Sequence, residues 1–481
     1  MQRFSPVGNA RRTRRWGVLA GALVLAAATT AACGTRLQSS AIASAAHTVT
    51  QAGGQPATAL GPGGATVTGG TTATGAGTPG SPATGGPAGA VAGAGEAAAQ
   101  NGQSPSATPA SGSAIASGDA PIVIGSVGTQ SGIVGASIAD GVKALQAWVS
   151  ATNARGGLEG HPVKLIVADD GGDPARHQAL VQQLVESDHV IAFVYNDAPL
   201  TGQASVQYLT QKRVPVIGSE LAGQWFYQSP MFFPQADSGL VLTDVSLRGV
   251  AQVTVPQGKT KVALMTCLEA QYCTDAAKIW PGLASQVGMK VVANSSVSLA
   301  TPDFTSQCLN AQGGGAQVFV MAMDSNSVDR VAASCASLGY HPIFSWASSV
   351  TVDRHRTDPN LSGAVLPIPE SPWFLPGNPA IQQFQSTVAR YAPGLTAGGS
   401  SENGWVAAKL FEAAATHLSA TPTSADILAG LAAIHTNTLG GLTEPLTFTS
   451  GRDAPPTECW FSARIGNGNW TTPDNGTMHC R

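Results

Sequence analysis

The segment CLEAQYC, residues 267–273, places two cysteines around a glutamate and a tyrosine, with five residues between the cysteines. A pair of this kind can be a redox switch, half of a metal site, a catalytic thiol with its neighbour, or a disulfide. The choice depends on the compartment, because disulfides persist in oxidising surroundings and are rare in the cytosol. The N-terminal residues therefore have to be considered first.

Residues 1–32 are typical of a signal peptide for secretion. Five arginines between Arg3 and Arg15 precede an apolar run from Trp16 to Ala28, which is too short to span a bilayer comfortably. Small residues then lead to Cys33, as in the lipobox of bacterial lipoproteins, although that position three residues earlier is Thr30 and not leucine. Ordinary secretory cleavage is the alternative. We expect Cys33 to carry lipid and to hold the chain on the outer face of the cell membrane.

The number of cysteines supports this prediction, because lipidation of one of the seven leaves an even number. An even count in an exported chain indicates disulfides, although six cysteines allow many pairings. Pairing each cysteine with its sequence neighbour would join Cys267 to Cys273, Cys308 to Cys335, and Cys459 to Cys480. CLEAQYC is then expected to be a stapled loop. A metal site is disfavoured, because no second ligand pair lies nearby in the sequence.

Other motifs that could carry chemistry do not have the required context. Gly258-Lys259-Thr260 ends like a phosphate-binding loop, but it precedes a predicted strand where it should follow one. No G-x-S-x-G nucleophile motif occurs. Asp169 and Asp170 follow a predicted strand, where we expect loop solvation and helix capping, and His355 is expected to be a solvated loop residue. The sequence therefore predicts no enzyme, no cofactor and no metal.

Composition divides the chain into a tether and a folded part. Residues 33–119 are rich in Gly, Ala, Thr, Ser and Pro and hold almost no charge or aromatic side chains. Such a segment buries too little apolar surface to offset its chain entropy, so we expect a disordered tether with a reach of roughly 50 Å. Without the five signal arginines, 20 basic and 28 acidic residues give a net charge of −8. Nucleic acid is therefore an unlikely partner, and the expected membrane contact is the lipid alone.

From Pro121 onward, short apolar strands alternate with helical segments. PIVIGSV, PVKLIVA, VIAFVY and VPVIGS form a first series, and KVALMTC, MKVVANSSV, AQVFVMAM and PIFSWAS form a second near residue 260 and beyond. A helix is predicted to begin at Asp173-Pro174, and another is expected to be interrupted at Pro281. The tail has strand-like PLTFTS, ECWFSARIG and NWTTP. This alternation predicts an α/β fold of two lobes with parallel, doubly wound sheets.

Several segments resemble the branched-chain amino-acid-binding family, the substrate-binding lipoproteins of ABC importers. They are PIVIGSVGTQSG, NARGGLEGHPVKLIVADDGGDP, VPVIGSE, KVALMTCLEAQY and GGLTEPLTFTSGRD, in that order along the chain. The most specific of them is N-x-x-G-G-[IL]-x-G-x-x-[VIL], at Asn153 to Val163. The resemblance implies a type I periplasmic-binding fold, in which a multi-strand hinge joins two lobes. We expect lobe 1 at 120–243 and 372–440, and lobe 2 at 244–371 and 441–481.

The resemblance also implies where the solute is held, at loops following the strands of both lobes. In lobe 1 the implied contacts are Gln130, Ser131, Asn196, Asp197, Thr201, Ser219 and Glu220. The family holds a carboxylate here with hydroxyls and backbone amides, whereas Asp197 and Glu220 would repel one. A plain amino-acid carboxylate in the usual pose is therefore not expected.

In lobe 2, Tyr272 matches a tyrosine that lies against the ligand in this family. The further candidates at these strand ends are Glu269, Asp324, Ser325 and Trp346. WASS stands where the family often has a glutamate for the ligand's ammonium group, so Asp324 or Glu269 would have to bind it. A disulfide between Cys267 and Cys273 would hold Tyr272 at the rim of the cleft.

The expected function is capture of a small solute, amino-acid-like or otherwise amine-bearing or polar, by closure of the two lobes. The partners are then the permease subunits of an ABC importer, and the protein is expected to be a monomer. A binding protein that signals to a receptor or kinase is the first alternative, and an anchored hydrolase is the second.

Overall fold

The computed structural model describes residues 119–219 and 223–481. The predicted signal peptide, the lipidation site Cys33, the tether as far as residue 118, and the candidate contact Glu220 lie outside these residues.

The first sheet has five parallel strands in the order β2-β1-β3-β4-β5. The second sheet has four parallel strands in the order β7-β6-β8-β9. In both sheets the first strand along the chain lies inside, which is the doubly wound arrangement. The strands are β1 (Ile122–Gly128), β2 (Val163–Asp169), β3 (Ala192–Val194), β4 (Val216–Ile217), β5 (Phe232–Phe233), β6 (Lys261–Cys267), β7 (Lys290–Val297), β8 (Val318–Ala322) and β9 (Ile343–Trp346).

Helices connect and cover the strands. They are α1 (Gly135–Ala154), α2 (Pro174–Glu186), α3 (Val206–Lys212), α4 (Gly239–Thr254), α5 (Gln271–Gln286), α6 (Thr305–Gly313), α7 (Ser325–Ser337), α8 (Arg354–Thr357), α9 (Pro379–Tyr391), α10 (Gly399–Ala414) and α11 (Ser424–Ala432). Helix α2 begins as predicted, because the Asp173 carboxylate accepts from Ala175 N and Arg176 N, and Pro174 is its first residue.

A third, antiparallel sheet lies beside the second. Its strands are β10 (Val365–Ile368), β11 (Cys459–Gly466), β12 (Asn469–Thr471) and β13 (His479–Cys480). The predicted strands ECWFSARIG and NWTTP correspond to β11 and β12, whereas PLTFTS makes only an isolated bridge, Asn437 to Leu446.

The chain passes three times between the first sheet and the second and third sheets. Helix α4 packs on α5, β10 and β11, whereas α9 and α10 pack on α1, and α10 also contacts β3 and β4. The passages are therefore residues 234–238, 369–378 and 433–458. Ser371 N donates to Leu442 O at 2.7 Å and joins the second passage to the third. The predicted α/β fold of two lobes with parallel sheets is confirmed, and the exact lobe boundaries stay predictions.

The most specific sequence motif has a local structural reason. The Asn153 amide pairs with both backbone groups of Val163, because Nδ2 donates to O at 2.9 Å and Oδ1 accepts from N at 2.8 Å. Gly157 has a φ of +83°, and a Cβ there would collide with the His161 carbonyl. This motif positions the start of β2 against the end of α1.

One helix prediction is wrong, and one helix was not predicted. Helix α5 runs without interruption from Gln271 to Gln286, with Pro281 inside it. Its packing against α4, where Trp280 Nε1 donates to Thr243 O at 2.8 Å, compensates for the hydrogen bond that proline removes. Helix α4 was not predicted, although its apolar spacing buries Leu242, Val245 and Leu247.

Candidate functional site

A cavity lies where the carboxyl ends of the two parallel sheets face each other. Residues that follow β1, β3, β6, β7, β8 and β9 line it, together with α4. Its lining residues include Val134, Ser137, Ile138, Asp197, Leu200, Leu242, Ala270, Tyr272, Leu299, Met323, Asp324, Ser349 and Val350. Its volume is about 80 Å³. This exceeds the roughly 10–15 Å³ that a single water requires.

The two sides of the cavity touch through a pair of serines. Ser137 lies in the first turn of α1 and Ser325 is the first residue of α7. Ser137 Oγ donates to Ser325 Oγ at 3.0 Å and accepts from Ser325 N at 3.1 Å, and both side chains are buried. A second close approach joins Gly399 of α10 to the segment after β9, where a Cβ on Gly399 would collide with the Ser348 carbonyl. The structure therefore has the two sides in contact.

Asp197 is the candidate from the first sheet that lines the cavity. It is 3% exposed, and its Oδ2 accepts from Tyr195 OH at 2.7 Å. Asn196 beside it is used internally, because its Oδ1 accepts from Val127 N at 2.8 Å. Ser219 is buried, and its backbone pairs with the Gln235 amide. Asn196 and Ser219 do not line the cavity, so their role as ligand contacts stays a prediction.

The remaining candidates from the first sheet bind two carboxylates of the chain itself. Gln130 N and Ser131 N donate to Asp169 Oδ1 at 2.9 Å and 3.3 Å. Thr201 Oγ1 donates to Asp170 Oδ2 at 2.6 Å. The structure brings these residues to the predicted edge of the sheet, but it turns their donors toward the β2–α2 loop.

Asp170 corrects the prediction of a solvated loop carboxylate. It is fully buried, and its Oδ2 lies 2.9 Å from His177 Nδ1. Burial by itself raises the pKa of Asp170, but hydrogen bonds from His177, Thr201, Gly172 N and Thr129 outweigh it and lower the pKa below 3.8. This carboxylate is therefore a structural anion that ties the β2–α2 loop to the neighbouring strand ends.

Tyr272 lines the cavity from the second sheet, as predicted for the wall of the cleft. It lies in the first turn of α5, is 7% exposed, and its OH lies 3.1 Å from Ser246 Oγ on α4. Burial raises the pKa of the tyrosine hydroxyl from 10.0 to about 12, although the hydrogen bond to Ser246 acts in the opposite direction. Tyr272 therefore presents a neutral ring to the cavity, with its hydroxyl held by α4.

The loop before Tyr272 is stapled as the cysteine pattern predicted. Cys267 and Cys273 form a disulfide, and the two other neighbour pairings are also present. Both cysteines of this loop line the cavity. Glu269 between them is exposed and turned away, because its Oε1 accepts from Ser298 Oγ at 2.6 Å and from Leu299 N at 3.0 Å. Its carboxylate fixes the neighbouring loop, and its role as a ligand contact stays a prediction.

Asp324 lines the cavity, whereas Ser325 and Trp346 lie behind its surface. The Asp324 carboxylate caps α7, since Oδ1 accepts from Asn326 N at 2.9 Å and Oδ2 accepts from Ser327 Oγ. Trp346 is 2% exposed, and its Nε1 donates to Thr351 Oγ1 at 2.9 Å. These partners are typical of a core position for Trp346.

His355 was expected to be solvated, and this is wrong. Its side chain is fully buried, packs edge-on against Trp346 at 5.1 Å between ring centres, and lies 3.3 Å from Asp329 Oδ1. Helix α8 brings it inward beneath the segment after β9, which the sequence pattern D-R-H-R did not indicate.

The sequence analysis missed most of the cavity wall, because that wall is aliphatic. Val134 and Ile138 come from the start of α1, and Leu242 from α4. Leu299 follows β7 and Met323 follows β8. A search for polar and aromatic side chains does not select aliphatic residues. The one usable signal was their position, directly after strands whose carboxyl ends had been predicted to form the site.

Two glutamates in the second passage and in α10 are buried away from the cavity. Glu370 is 2% exposed and Glu402 is fully buried. With its amide nitrogen facing Glu370, Asn403 donates to Oε2 at 2.6 Å. Burial raises the pKa of Glu370 from 4.5 to about 8, although a hydrogen bond from Gln235 opposes this. Burial, reinforced by the nearby Glu370, raises the pKa of Glu402 well above 4.5.

One group of potential metal ligands comes together in the part of the chain that the structure describes. It consists of Glu444, Cys459 and Cys480. The two cysteines are bonded to each other, so they offer no thiolate. Within residues 119–219 and 223–481, no helix has both the length and the apolar character to cross a bilayer.

Comparison with known proteins agrees with this arrangement. The sequence model of the periplasmic binding protein family matches residues 121–469. No curated protein matches the chain. Solved structures share the fold at low sequence identity.

Three of these structures illustrate the likeness. A fatty acid ABC transporter substrate-binding protein from Thermomonospora curvata is 17% identical with a TM-score of 0.64, over 74% of this chain and 92% of that one. The branched-chain amino acid transporter substrate-binding protein LivJ from Streptococcus pneumoniae, in complex with isoleucine, is 17% identical with a TM-score of 0.62, over 75% and 99%. An ABC transporter solute-binding protein from Rhodopseudomonas palustris BisB5, in complex with 3,4-dihydroxy benzoic acid, is 16% identical with a TM-score of 0.62, over 75% and 97%.

Proposed function

This chain belongs to the periplasmic binding protein family, and from that membership we propose that it captures a small solute outside the cytoplasm for an ABC importer. The solute is amino-acid-like or another amine-bearing or polar compound. Capture involves closure of the two lobes and no chemical turnover. The family fold is a solute-binding one, and the chain's own residues support a binding role as follows.

The cavity between the two parallel sheets carries this proposal. Its walls come from both sheets, and they come from the carboxyl ends of the strands, where α/β sheets bind ligands. Ile138 and Tyr272 lie on opposite walls. A solute between them would contact both lobes, so its binding energy would favour the arrangement in which the lobes touch.

The three passages between the sheets support closure as a hinge motion. Hinges are a few loop or element-terminal residues that absorb the change in backbone angles. Residues 234–238 form the shortest of these passages. The serine pair Ser137 and Ser325 adds contacts that exist only when the lobes meet.

The N-terminal sequence supports a location at the membrane, and family membership supports a role with an importer. Lipid on Cys33 would anchor the protein to the outer face of the cell membrane. The permease subunits would bind the closed, monomeric form. Similar structures support the importer role, since several are ABC transporter binding proteins by description.

The experiment is a thermal-shift panel on the full chain with amino acids, amides, amines, alcohols and polyamines. A solute at 100 times its Kd should raise the unfolding free energy by about 2.7 kcal/mol. Ser349→Trp fills the cavity from the half-buried end of the β9 segment and should abolish the shift. The matched control Ser362→Trp lies at an exposed turn and should keep it. No response to any class, or an equal response in Ser349→Trp, contradicts the proposal.

A further inference from the structure

The wall of the cavity is mostly hydrocarbon. Aliphatic side chains reach it from both sheets and from α4, and five of the seven are buried. Val134 and Ile138 lie at the start of α1, and Leu242 lies on α4. The others are Leu200 after β3, Leu299 after β7, Met323 after β8 and Val350 after β9. Such a wall binds by removing apolar surface from water, and a solute without apolar surface gains nothing from it.

Three of the polar side chains that line the cavity already have partners in the protein. Ser137 Oγ is bonded to Ser325, and Tyr272 OH to Ser246. Both oxygens of Asp324 accept from the first turn of α7. A polar solute would have to displace these bonds or leave its own groups unmatched, and buried unmatched groups are costly.

The hydroxyl and amide donors at this edge of the first sheet are engaged as well. Asp169 takes the backbone amides of Gln130 and Ser131, and Asp170 takes the Thr201 hydroxyl. These are the kinds of donor that bind a carboxylate, and here the carboxylates belong to the chain. These three donors are therefore not open to a solute carboxylate.

The charges on the cavity wall point the same way. Two carboxylate side chains, Asp197 and Asp324, line the cavity, and among the described lining residues none is Lys, Arg or His. Arg330 lies close by, but its NH2 group donates to Leu299 O at 2.7 Å and to Ser327 Oγ at 2.8 Å. An anionic solute would be repelled by the aspartates and would find no basic side chain in the wall.

We propose that the cavity selects a small solute with an apolar body and no carboxylate, carrying either no charge or one positive charge. This inference rests on the proposed capture of a solute and narrows its chemical class. A cavity volume of about 80 Å³ suits a small branched or cyclic hydrocarbon group with one alcohol or amine group. Free amino acids, despite their apolar side chains, are excluded by their carboxylate.

Four compounds that share an isopentyl group test this directly by titration calorimetry on the full chain. Isopentylamine is leucine without its carboxylate, 4-methylpentanoate is leucine without its ammonium, and 3-methylbutan-1-ol is uncharged. We expect isopentylamine and 3-methylbutan-1-ol to bind at least tenfold more tightly than leucine and 4-methylpentanoate. Tighter binding of leucine or of 4-methylpentanoate overturns the inferred class while leaving solute capture intact. Absence of binding by all four at 10 mM also overturns the class, and the wider panel with Ser349→Trp then decides on capture separately.

A charge variant examines the electrostatic part. Asp197→Asn keeps an acceptor for Tyr195 OH and removes one negative charge from the wall. We expect the affinity for 4-methylpentanoate, relative to that for 3-methylbutan-1-ol, to rise about tenfold, which corresponds to 1.4 kcal/mol. Asp453→Asn, at an exposed position away from the cavity, should change neither affinity. An unchanged preference in Asp197→Asn, with an unchanged unfolding temperature, contradicts the role of charge.

Discussion

Ser137 on α1 and Ser325 on α7 lie 3.0 Å apart between their Oγ atoms and join the two sides of the cavity. The Ser325 backbone amide also donates to the same Ser137 oxygen at 3.1 Å. The two residues are 188 positions apart in the sequence and belong to helices that follow strands of different sheets. The distance between these two side chains therefore reports directly whether the lobes are in contact.

Ser137→Ala removes both hydrogen bonds of the serine pair without changing the apolar wall. A net hydrogen bond contributes about 1 kcal/mol, so for two bonds we expect solute affinity to fall by up to about thirtyfold. Titration calorimetry with the best solute measures this. Ser150→Ala is a matched control, because Ser150 lies on the exposed side of the same helix and bonds only to Gln146 O within it. Equal affinities of Ser137→Ala and the unmodified protein would mean that the bond does not accompany binding.

Replacing Cys267 and Cys273 together by alanine should weaken both folding and binding. The disulfide closes a short ring, so its loss costs about 2 kcal/mol of unfolding free energy in the chain-entropy model. Because the ring also holds Tyr272 at the cavity, the cost of ordering that wall is added to binding, and we expect affinity to fall about threefold to tenfold.

The disulfide between Cys308 and Cys335 provides the control. It lies between α6 and α7, away from the cavity, and closes a longer loop with a sequence separation of 27. Replacing both by alanine should cost more, about 3.5 kcal/mol by the same model, and leave affinity unchanged. Urea unfolding and titration of both variants separate the two effects. A larger loss of affinity in the second variant would reject a role for the first disulfide in binding.

Glu370 should make the folded protein less stable as the pH rises. Its folded pKa is raised to about 8, mainly by burial, from 4.5. Both states hold the proton below pH 4.5, and between the two values the unfolded chain releases it while the folded one keeps it. The unfolding free energy therefore decreases from pH 5 to pH 7.5, by up to about 1.4 kcal/mol per pH unit for one group.

Glu370→Gln should make that decrease shallower and give a variant that gains stability relative to the unmodified protein at pH 7.5. Glu186→Gln, at an exposed position on α2, should leave the slope as it is. Urea unfolding at pH 5 and pH 7.5 measures both slopes. The same slope in Glu370→Gln as in the unmodified protein would contradict a contribution of Glu370 to this pH dependence.

Asp170 should be far more important to folding than its neighbour Asp173. Asp170→Ala leaves several buried donors without an acceptor, at about 1–3 kcal/mol for each, so we expect a loss of about 3–5 kcal/mol of unfolding free energy. Asp173→Ala removes only a helix cap, which costs about 1 kcal/mol. Since the pKa of Asp170 is lowered by its partners, its contribution is lost as the pH falls. Equal costs for the two variants in urea unfolding would contradict the assignment of a structural anion.

The sequence predicted the sheets better than it predicted the cavity wall. Alternating strands and helices indicated both parallel sheets, and the spacing of Cys267 and Cys273 indicated the staple. Strand ends, however, specify an edge and not the direction of a side chain. Thr201 and Trp346 stand at the right edge, yet Thr201 turns to Asp170 and Trp346 to the core.

Other features left no local signal. Leu242 belongs to a helix that the sequence pattern did not reveal, and its part in the wall depends on packing between distant segments. Glu370 and Glu402 are separated by 31 intervening residues, and nothing near either one indicates that they are buried together. Such relationships arise only from the tertiary structure.

The distance between the two rims of the cavity tests the central claim most directly. Nitroxide labels on Ile133→Cys, beside the α1 wall, and Ala300→Cys, beside Leu299, stand at exposed positions on opposite sides. Pulsed electron resonance on the full chain should show a longer or broader distance distribution without solute. Saturation with the tightest-binding compound of the solute panel should give one shorter distance, and Ser349→Trp should abolish that change. A single distance that stays the same with and without that compound would contradict capture by closure of the two lobes.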